Sequence, residues 1–270
     1  MEKEKAKQMF INWHTDELTS DMKCKYLYDN NLITDFIFKI VNDDNENVET
    51  SVIKCHKFLL SLTSDEFFNL IVKKNECELV IKDVHVNTFK TFINYIYTNE
   101  ISVEMELLKD LLKLSHDFNI IPLKEICWKF VEDRITRNTI IKFFEYAIAY
   151  DNATILELCE NFYQKYTEIT LQTKEFLSIN QNVLKKILSI NNITCTKLDL
   201  LNAVVAWGNH QVLTKGTGMS SDSLRKEVNS FIPLIPIQEI PLKEFQVFCQ
   251  THRKLFTNEE ICNYFLNILK

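Results

Sequence analysis

Val52-Ile53-Lys54-Cys55-His56-Lys57-Phe58-Leu59-Leu60-Ser61-Leu62-Thr63-Ser64-Asp65-Glu66-Phe67-Phe68 changes its hydrophobic period part-way along. The β-branched start suits a strand, and from Cys55-His56 onward the spacing turns helical. Phe58, Leu59 and Leu62 recur at i, i+1 and i+4, and Phe67, Leu70 and Ile71 repeat that spacing one helix later. Ser64, with Phe67 and Phe68 behind it, reads as an N-cap between the two helices. A second strand is predicted upstream at Asp35-Phe36-Ile37-Phe38-Lys39-Ile40-Val41. Two strands and two short helices make a small mixed core.

Working outward, residues 35–55 read as a hairpin with Asn42-Asp43-Asp44-Asn45-Glu46-Asn47 at its tip. That tip starts like a calcium loop, but Val48 and Lys54 stand where such a loop requires glycine and glutamate, so it is a solvated turn. Before the hairpin, Leu18, Met22 and Tyr26 are spaced i, i+4, i+8 with charged residues between them. The stripe packs on its own domain or is offered to a second copy of the chain. After it come a third strand at Leu79-Val80-Ile81 and a helix over about 86–97 facing inward with Phe89, Phe92, Ile93 and Ile96. Further helices follow over Met105–His116 and Pro122–Val131, the last carrying Ile126 and Phe130 on its stripe. From Arg134 onward the pattern is helical only, with segments at 138–150, 153–166, 172–178, 181–190, 197–213, 222–231, 241–250 and 257–269. Asp151-Asn152, Asn191-Asn192, Gly216 and Gly218, and Pro233, Pro236 and Pro241 mark the joints.

The bulk properties narrow the function. In 270 residues, 46% hydrophobic and 25% charged content is that of a globular chain long enough for two domains. A formal net charge of -6 argues against nucleic acid as the main partner. No apolar run is long enough for a membrane span, and Met1-Glu2-Lys3-Glu4-Lys5-Ala6-Lys7 does not open a signal peptide. The eight cysteines are scattered without a C-x-x-C and read as reduced thiols of an intracellular protein, cytoplasmic with the nucleus left open. The three glycines are Gly208, Gly216 and Gly218, which leaves the first 207 residues without the backbone freedom a phosphate-cradling loop needs.

Several stretches, in order, resemble the BTB/POZ domain. They are Lys25 to Phe36, the Cys55-His56-Lys57 helix pair with Ser64 and Phe67, and Asp83-Val84 with Phe89, Phe92 and Ile93-Asn94-Tyr95-Ile96-Tyr97-Thr98. Leu111 to His116 and Cys127 to Val131 complete the set. Asn138, Ala147, Leu158, Phe162, Phe176-Leu177, Val183-Leu184, Leu188 and Ala203-Val204-Val205-Ala206-Trp207 are similar to the BACK domain that often follows it. So is the tail with Arg225, Phe231 to Pro236 and Phe245. The resemblance implies an α+β BTB/POZ domain followed by an all-α BACK helical domain. It divides the chain into an N-terminal helical extension (1–31), BTB (32–133) and BACK (134–270). The chain looks most like the BTB-BACK part of the group that carries a PHR domain, with no kelch or PHR segment seen.

What the resemblance implies about function is a non-catalytic protein–protein interaction adaptor. It would form a homodimer through BTB and dock on a cullin-3 ubiquitin ligase scaffold to position an unknown substrate protein for ubiquitination. The second reading is a BTB-BACK scaffold or competitor that does not bind cullin. The residues expected at the dimer seam are Trp13, Leu18, Met22, Tyr26, Asp35 and Lys57. In the family the positions of Asp35 and Lys57 form a charged pocket near that seam; an intramolecular salt bridge is the other reading. Phe67, Leu70, Ile71, Lys73, Lys74 and Glu76 are expected to face cullin. The family's apolar-x-Glu motif is missing, because Lys74 stands two positions before Glu76 in a shortened loop. Loss of such an anchor would remove about 1.5–3 kcal/mol, so weak binding is expected.

No catalytic, cofactor or metal residues are expected. Cys55 and His56 are sequence neighbours whose side chains do not converge, and His56 reads as a helix-start residue. Cys249-x-x-His252, with Cys262 beyond, is half a zinc pattern without its other half. Trp128 and Trp207 fall on apolar stripes and read as core.

Overall fold

A computed structural model describes residues 19–42, 49–216 and 220–268. Trp13, Leu18, the hairpin tip after Asn42, and Gly218 lie outside the described residues. The chain divides between Phe130 and Val131 into two compact units, the first α+β and the second built of helices, with no strand among its described residues.

The first unit runs α1 (Ser20–Asp29), β1 (Phe36–Asn42), β2 (Glu49–Cys55), α2 (Lys57–Thr63) and α3 (Asp65–Phe68), which continues into a π-helical turn, Asn69–Lys73. Then come β3 (Glu78–Lys82), α4 (Val86–Thr98), α5 (Met105–Asp117) and α6 (Ile121–Glu132). The sheet order is β2-β1-β3. β1 pairs antiparallel with β2, from Phe36 opposite Cys55 to Asn42 opposite Glu49, and parallel with β3, from Ile37 opposite Glu78 to Val41 opposite Lys82. Alternation along β1 sends Phe36, Phe38 and Ile40 wholly inward, onto the side the helices cover. Phe38 lies at the centre of an aromatic cluster, with ring centroids 5.0 Å from Phe36, 4.9 Å from Phe89 and 6.1 Å from Phe67. Phe67 in turn stacks on Phe118 at 4.3 Å. Truncating such a ring to alanine costs about 3–5 kcal/mol, which marks where this unit is held together.

Ser64 caps α3 by accepting the Phe67 N–H, as its position predicts. On α2 the expectation of a core-facing stripe is corrected. Leu60 is buried, whereas Phe58 and Leu62, one turn apart, are exposed. Helical spacing identifies a face but not which way it turns, and α2 is rotated so that Leu60 meets the core. Ile126 is likewise exposed on α6, where Leu123, Cys127, Trp128 and Val131 are the buried residues. With glycine absent from this unit, its left-handed backbone positions fall on Asn31, Asn75, Asp83, Asn99 and Asn119, which tolerate that conformation, and on Ile33, which does so at a cost.

The second unit contains α7 (Ile140–Ala149), α8 (Ala153–Leu171), α9 (Lys174–Ser178), α10 (Gln181–Leu188), α11 (Lys197–Thr214), α12 (Ser221–Val228), α13 (Leu242–Thr251) and α14 (Asn258–Ile268). The helix starts follow local chemistry. Asn152, Thr173 and Asn180 cap α8, α9 and α10, and Thr196 with Asp199 forms a reciprocal capping box on α11. α8 was expected to stop at Tyr166; it runs on to Leu171 through a kink there, at φ -128°. Thr167 and Thr170 turn their hydroxyls back onto main-chain carbonyls at this point, which bends a helix without ending it. Trp207 on α11 is buried, donates Nε1–H to the Ile179 carbonyl at 2.8 Å and meets Phe231 edge-on. Beside it α12 approaches α11 so closely that a Cβ on Gly208 would stand 2.3 Å from Val228 Cγ1.

Candidate interaction site

The junction between β2 and α2 is fixed by a buried polar cluster. His56 Nε2 lies 2.7 Å from the Leu32 carbonyl, which can only accept, so Nε2 carries the hydrogen. In the tautomer with its hydrogen on Nε2, Nδ1 accepts from the Tyr97 hydroxyl at 2.6 Å, and that hydroxyl also accepts the His56 main-chain N–H at 3.1 Å. Tyr28 from α1 stacks on Tyr97 at 4.6 Å. One histidine thus ties the exit of α1 to the start of α2 and the end of α4. Burial pushes the Cys55 thiol up to about 12, and burial raises Tyr28 to about 12. Burial, and then the neighbouring Cys55, also raises Tyr97. A neutral thiol beside an imidazole with both nitrogens engaged is a structural fastening, not a nucleophile and its base.

Around this fastening, apolar side chains stand in solvent. Met22 on α1 is 52% exposed, and Phe58 and Leu62 on α2 are 72% and 68% exposed. α1 and α2 both pack against α4 with their other faces. Ile33, between α1 and β1, is exposed in the left-handed region, where a β-branched residue is strained. Phe58, Leu62 and Ile33 were not among the expected interface residues. The signal that finds them is exposure, which periodicity does not carry.

The other expected residues are distributed as follows. Tyr26 is half-buried. Asp35 and Lys57 do meet, but through the main chain: Asp35 Oδ1 accepts the Lys57 N–H at 2.7 Å, at the first residue of α2. The Lys57 ammonium points elsewhere, 3.0 Å from Cys77 Sγ. Phe67 and Ile71 are buried in the core and have no surface to offer a partner, which corrects their assignment to a partner-facing set. Their alternation with exposed positions follows from the helix continuing as a π-turn, which carries Val72 outward, 54% exposed. Leu70 is half-buried, and Lys73, Lys74 and Glu76 are exposed.

In the second unit Cys249 is buried on α13, His252 lies against the Phe248 ring at 4.7 Å, and Cys262 is exposed on α14. Among the described residues no group of three metal-ligating side chains converges. No described helix is long and apolar enough to cross a membrane.

Comparison with known families matches the BTB/POZ domain model to residues 25–135 and the BACK model, described as BTB And C-terminal Kelch, to residues 140–221. The chain carries a BTB/POZ domain followed by a BACK domain. BTB domains generally mediate protein interactions, and Ile33, Phe58 and Leu62 lie within the matched residues. BTB/POZ domain-containing protein 17 of Xenopus laevis is 24% identical over 164 residues, 59% of this chain and 35% of that protein. Kelch-like protein 40b of Danio rerio is 20% identical over 245 residues, 87% of this chain and 38% of that protein. BTB/POZ domain-containing protein 6 of Mus musculus is 19% identical over 258 residues, 94% of this chain and 47% of that protein. This BTB-BACK chain therefore spans between about a third and a half of the length of these relatives.

Proposed function

We propose that this BTB-BACK chain is a non-catalytic adaptor that self-associates through its BTB domain and positions other proteins. The observation that carries the reading is the pair Phe58 and Leu62, exposed one turn apart on α2 beside the His56 fastening. An apolar stripe left in solvent on a rigidly held helix fits a second copy of the same chain, with Met22, Tyr26, Asp35 and Lys57 around it. In this reading the N-terminal extension, residues 1–31, adds to the seam through Trp13 and Leu18, BTB runs over 32–133 and BACK over 134–270.

The scaffold we infer for the adaptor is cullin-3, bound weakly, with the chain in the cytoplasm and allied to the BTB-BACK proteins that carry a PHR domain. The shortened loop lacks the apolar-x-Glu anchor, and Lys73 and Lys74 put charge there, while Val72 offers a smaller apolar contact. Titration calorimetry with the amino-terminal domain of the cullin tests this, and a dissociation constant near the micromolar range is expected. Absence of heat at cullin concentrations of hundreds of micromolar would favour the second reading, a dimeric scaffold or competitor without a cullin. Tight binding unchanged by grafting an apolar-x-Glu segment into the loop would show that the loop is not what sets the affinity.

A further inference from the structure

Lys57 and Cys77 are twenty residues apart, and their side chains meet with Nζ 3.0 Å from Sγ. The meeting is set by the backbone. The Lys57 N–H is bound to Asp35 Oδ1 at 2.7 Å, and the Cys77 carbonyl accepts the Ile37 N–H at 3.0 Å, so both residues are tied to the chain on either side of Phe36, where β1 begins. Among the described residues this is the one contact between a lysine amine and a cysteine sulfur. Of the other thiols, Cys262 is also exposed and Cys24 is half-buried, and neither has a lysine amine within hydrogen-bond distance among the described residues. Cys55, Cys127, Cys159 and Cys249 are buried, and burial raises the first three to about 12 and Cys249 to about 11. Burial likewise holds Cys195 at about 11. Cys77 is exposed, with a nitrogen in contact. Oxidation selects thiols by exposure and microenvironment, and the lysine amine 3.0 Å away is what separates Cys77 from the likewise exposed Cys262.

We propose that peroxide joins Lys57 and Cys77 covalently through one oxygen atom, as a lysine–cysteine N–O–S bridge. One hydrogen peroxide oxidises the thiol: an S–O bond forms, the O–O bond breaks, and sulfenic acid and water result. A second hydrogen peroxide oxidises the amine, after its extra proton has passed to solvent, to the hydroxylamine and water. The hydroxylamine oxygen then attacks the sulfenyl sulfur, the S–OH bond breaks, and a third water leaves. Sulfur and nitrogen each lose two electrons, and each peroxide gains two. Two equivalents of a dithiol reverse the change, returning amine, thiol and one water. The bridge fastens the first residue of α2 to the strand entering the sheet at β3 and removes the Lys57 charge next to exposed Phe58. Oxidant would thereby reach the surface on α2 without a change of fold.

The test is peptide mapping of the purified full chain, before and after hydrogen peroxide, with trypsin and tandem mass spectrometry. The expected product joins the peptide containing Lys57, uncleaved after that lysine, to the peptide containing Cys77. Its mass is the sum of the two plus one oxygen less two hydrogens, and dithiothreitol separates them. Lys57→Arg keeps the charge and should give no bridge, leaving Cys77 to proceed to sulfinic and sulfonic acids. Cys77→Ser should also give none. Wild-type chain in which Cys77 only climbs to those acids, with normal cleavage after Lys57, overturns the proposal. So does a bridge on Lys57 that persists in Cys77→Ser, which would place it on another thiol.

Discussion

The Tyr97 hydroxyl accepts the main-chain N–H of His56 and donates to Nδ1 of the same residue, at 3.1 and 2.6 Å. Tyr97→Phe removes the oxygen and leaves a buried amide and a buried ring nitrogen without partners. Each unsatisfied group costs about 1–3 kcal/mol, so the BTB domain should lose at least about 1 kcal/mol. Urea unfolding followed by fluorescence reads this as a lower midpoint with an unchanged slope. A midpoint equal to wild type would mean that the cluster does not fasten α1 and α2.

Gly208→Ala sets two effects against each other. Alanine favours a helix interior by about 1 kcal/mol over glycine. Against this, the new Cβ would lie 2.3 Å from Val228 Cγ1 and 2.9 Å from Leu224 Cδ1, and a valine methyl on a packed helix has little room to yield. Overpacking of that kind costs about 1–3 kcal/mol, so a net loss of stability in the BACK domain is expected. A thermal midpoint at or above that of wild type would show that α12 can move aside.

Glu260 joins α14 to α12. It accepts the Thr257 N–H at 2.6 Å and two bonds from Arg225 at 2.9 and 3.1 Å. Burial alone would raise its carboxyl, but the bonds from Thr257 and the Arg225 guanidinium outweigh burial and hold it below the ordinary value. A carboxyl depressed in the folded state contributes stability above its unfolded pKa and loses that contribution as pH falls through the folded value. Glu260→Gln should therefore lower the thermal midpoint at pH 7, and the gap to wild type should narrow below about pH 4. A gap that does not change with pH would assign the effect to packing.

Much of the architecture was legible because strands and helices carry different periods. Phe36, Phe38 and Ile40 announce β1 by alternation, and Ser64 announces α3 by its position before Phe67. The helical second half was legible in the same way, but the end expected at Tyr166 is a kink, because threonine back-bonding bends the helix there without ending it. The surface was less legible. Phe58 and Leu62 have the spacing of a core stripe, and only the packing of Leu60 decides that they face out. Phe67 and Ile71 were misplaced for the converse reason. The role of His56 depends on Leu32 and Tyr97, and that of Lys57 on Asp35 and Cys77, contacts that only the folded chain brings together.

Light scattering of the purified chain at tens of micromolar addresses self-association through α2 most directly. The expected mass is twice the chain mass of 31.9 kDa. Phe58→Asp, at a position already in solvent, should fold normally and shift the mass to that of the monomer, because an unpaired carboxylate in an apolar seam costs several kcal/mol. A monomer mass for the wild-type chain, or a dimer indifferent to Phe58→Asp, would contradict a BTB domain that pairs through this face.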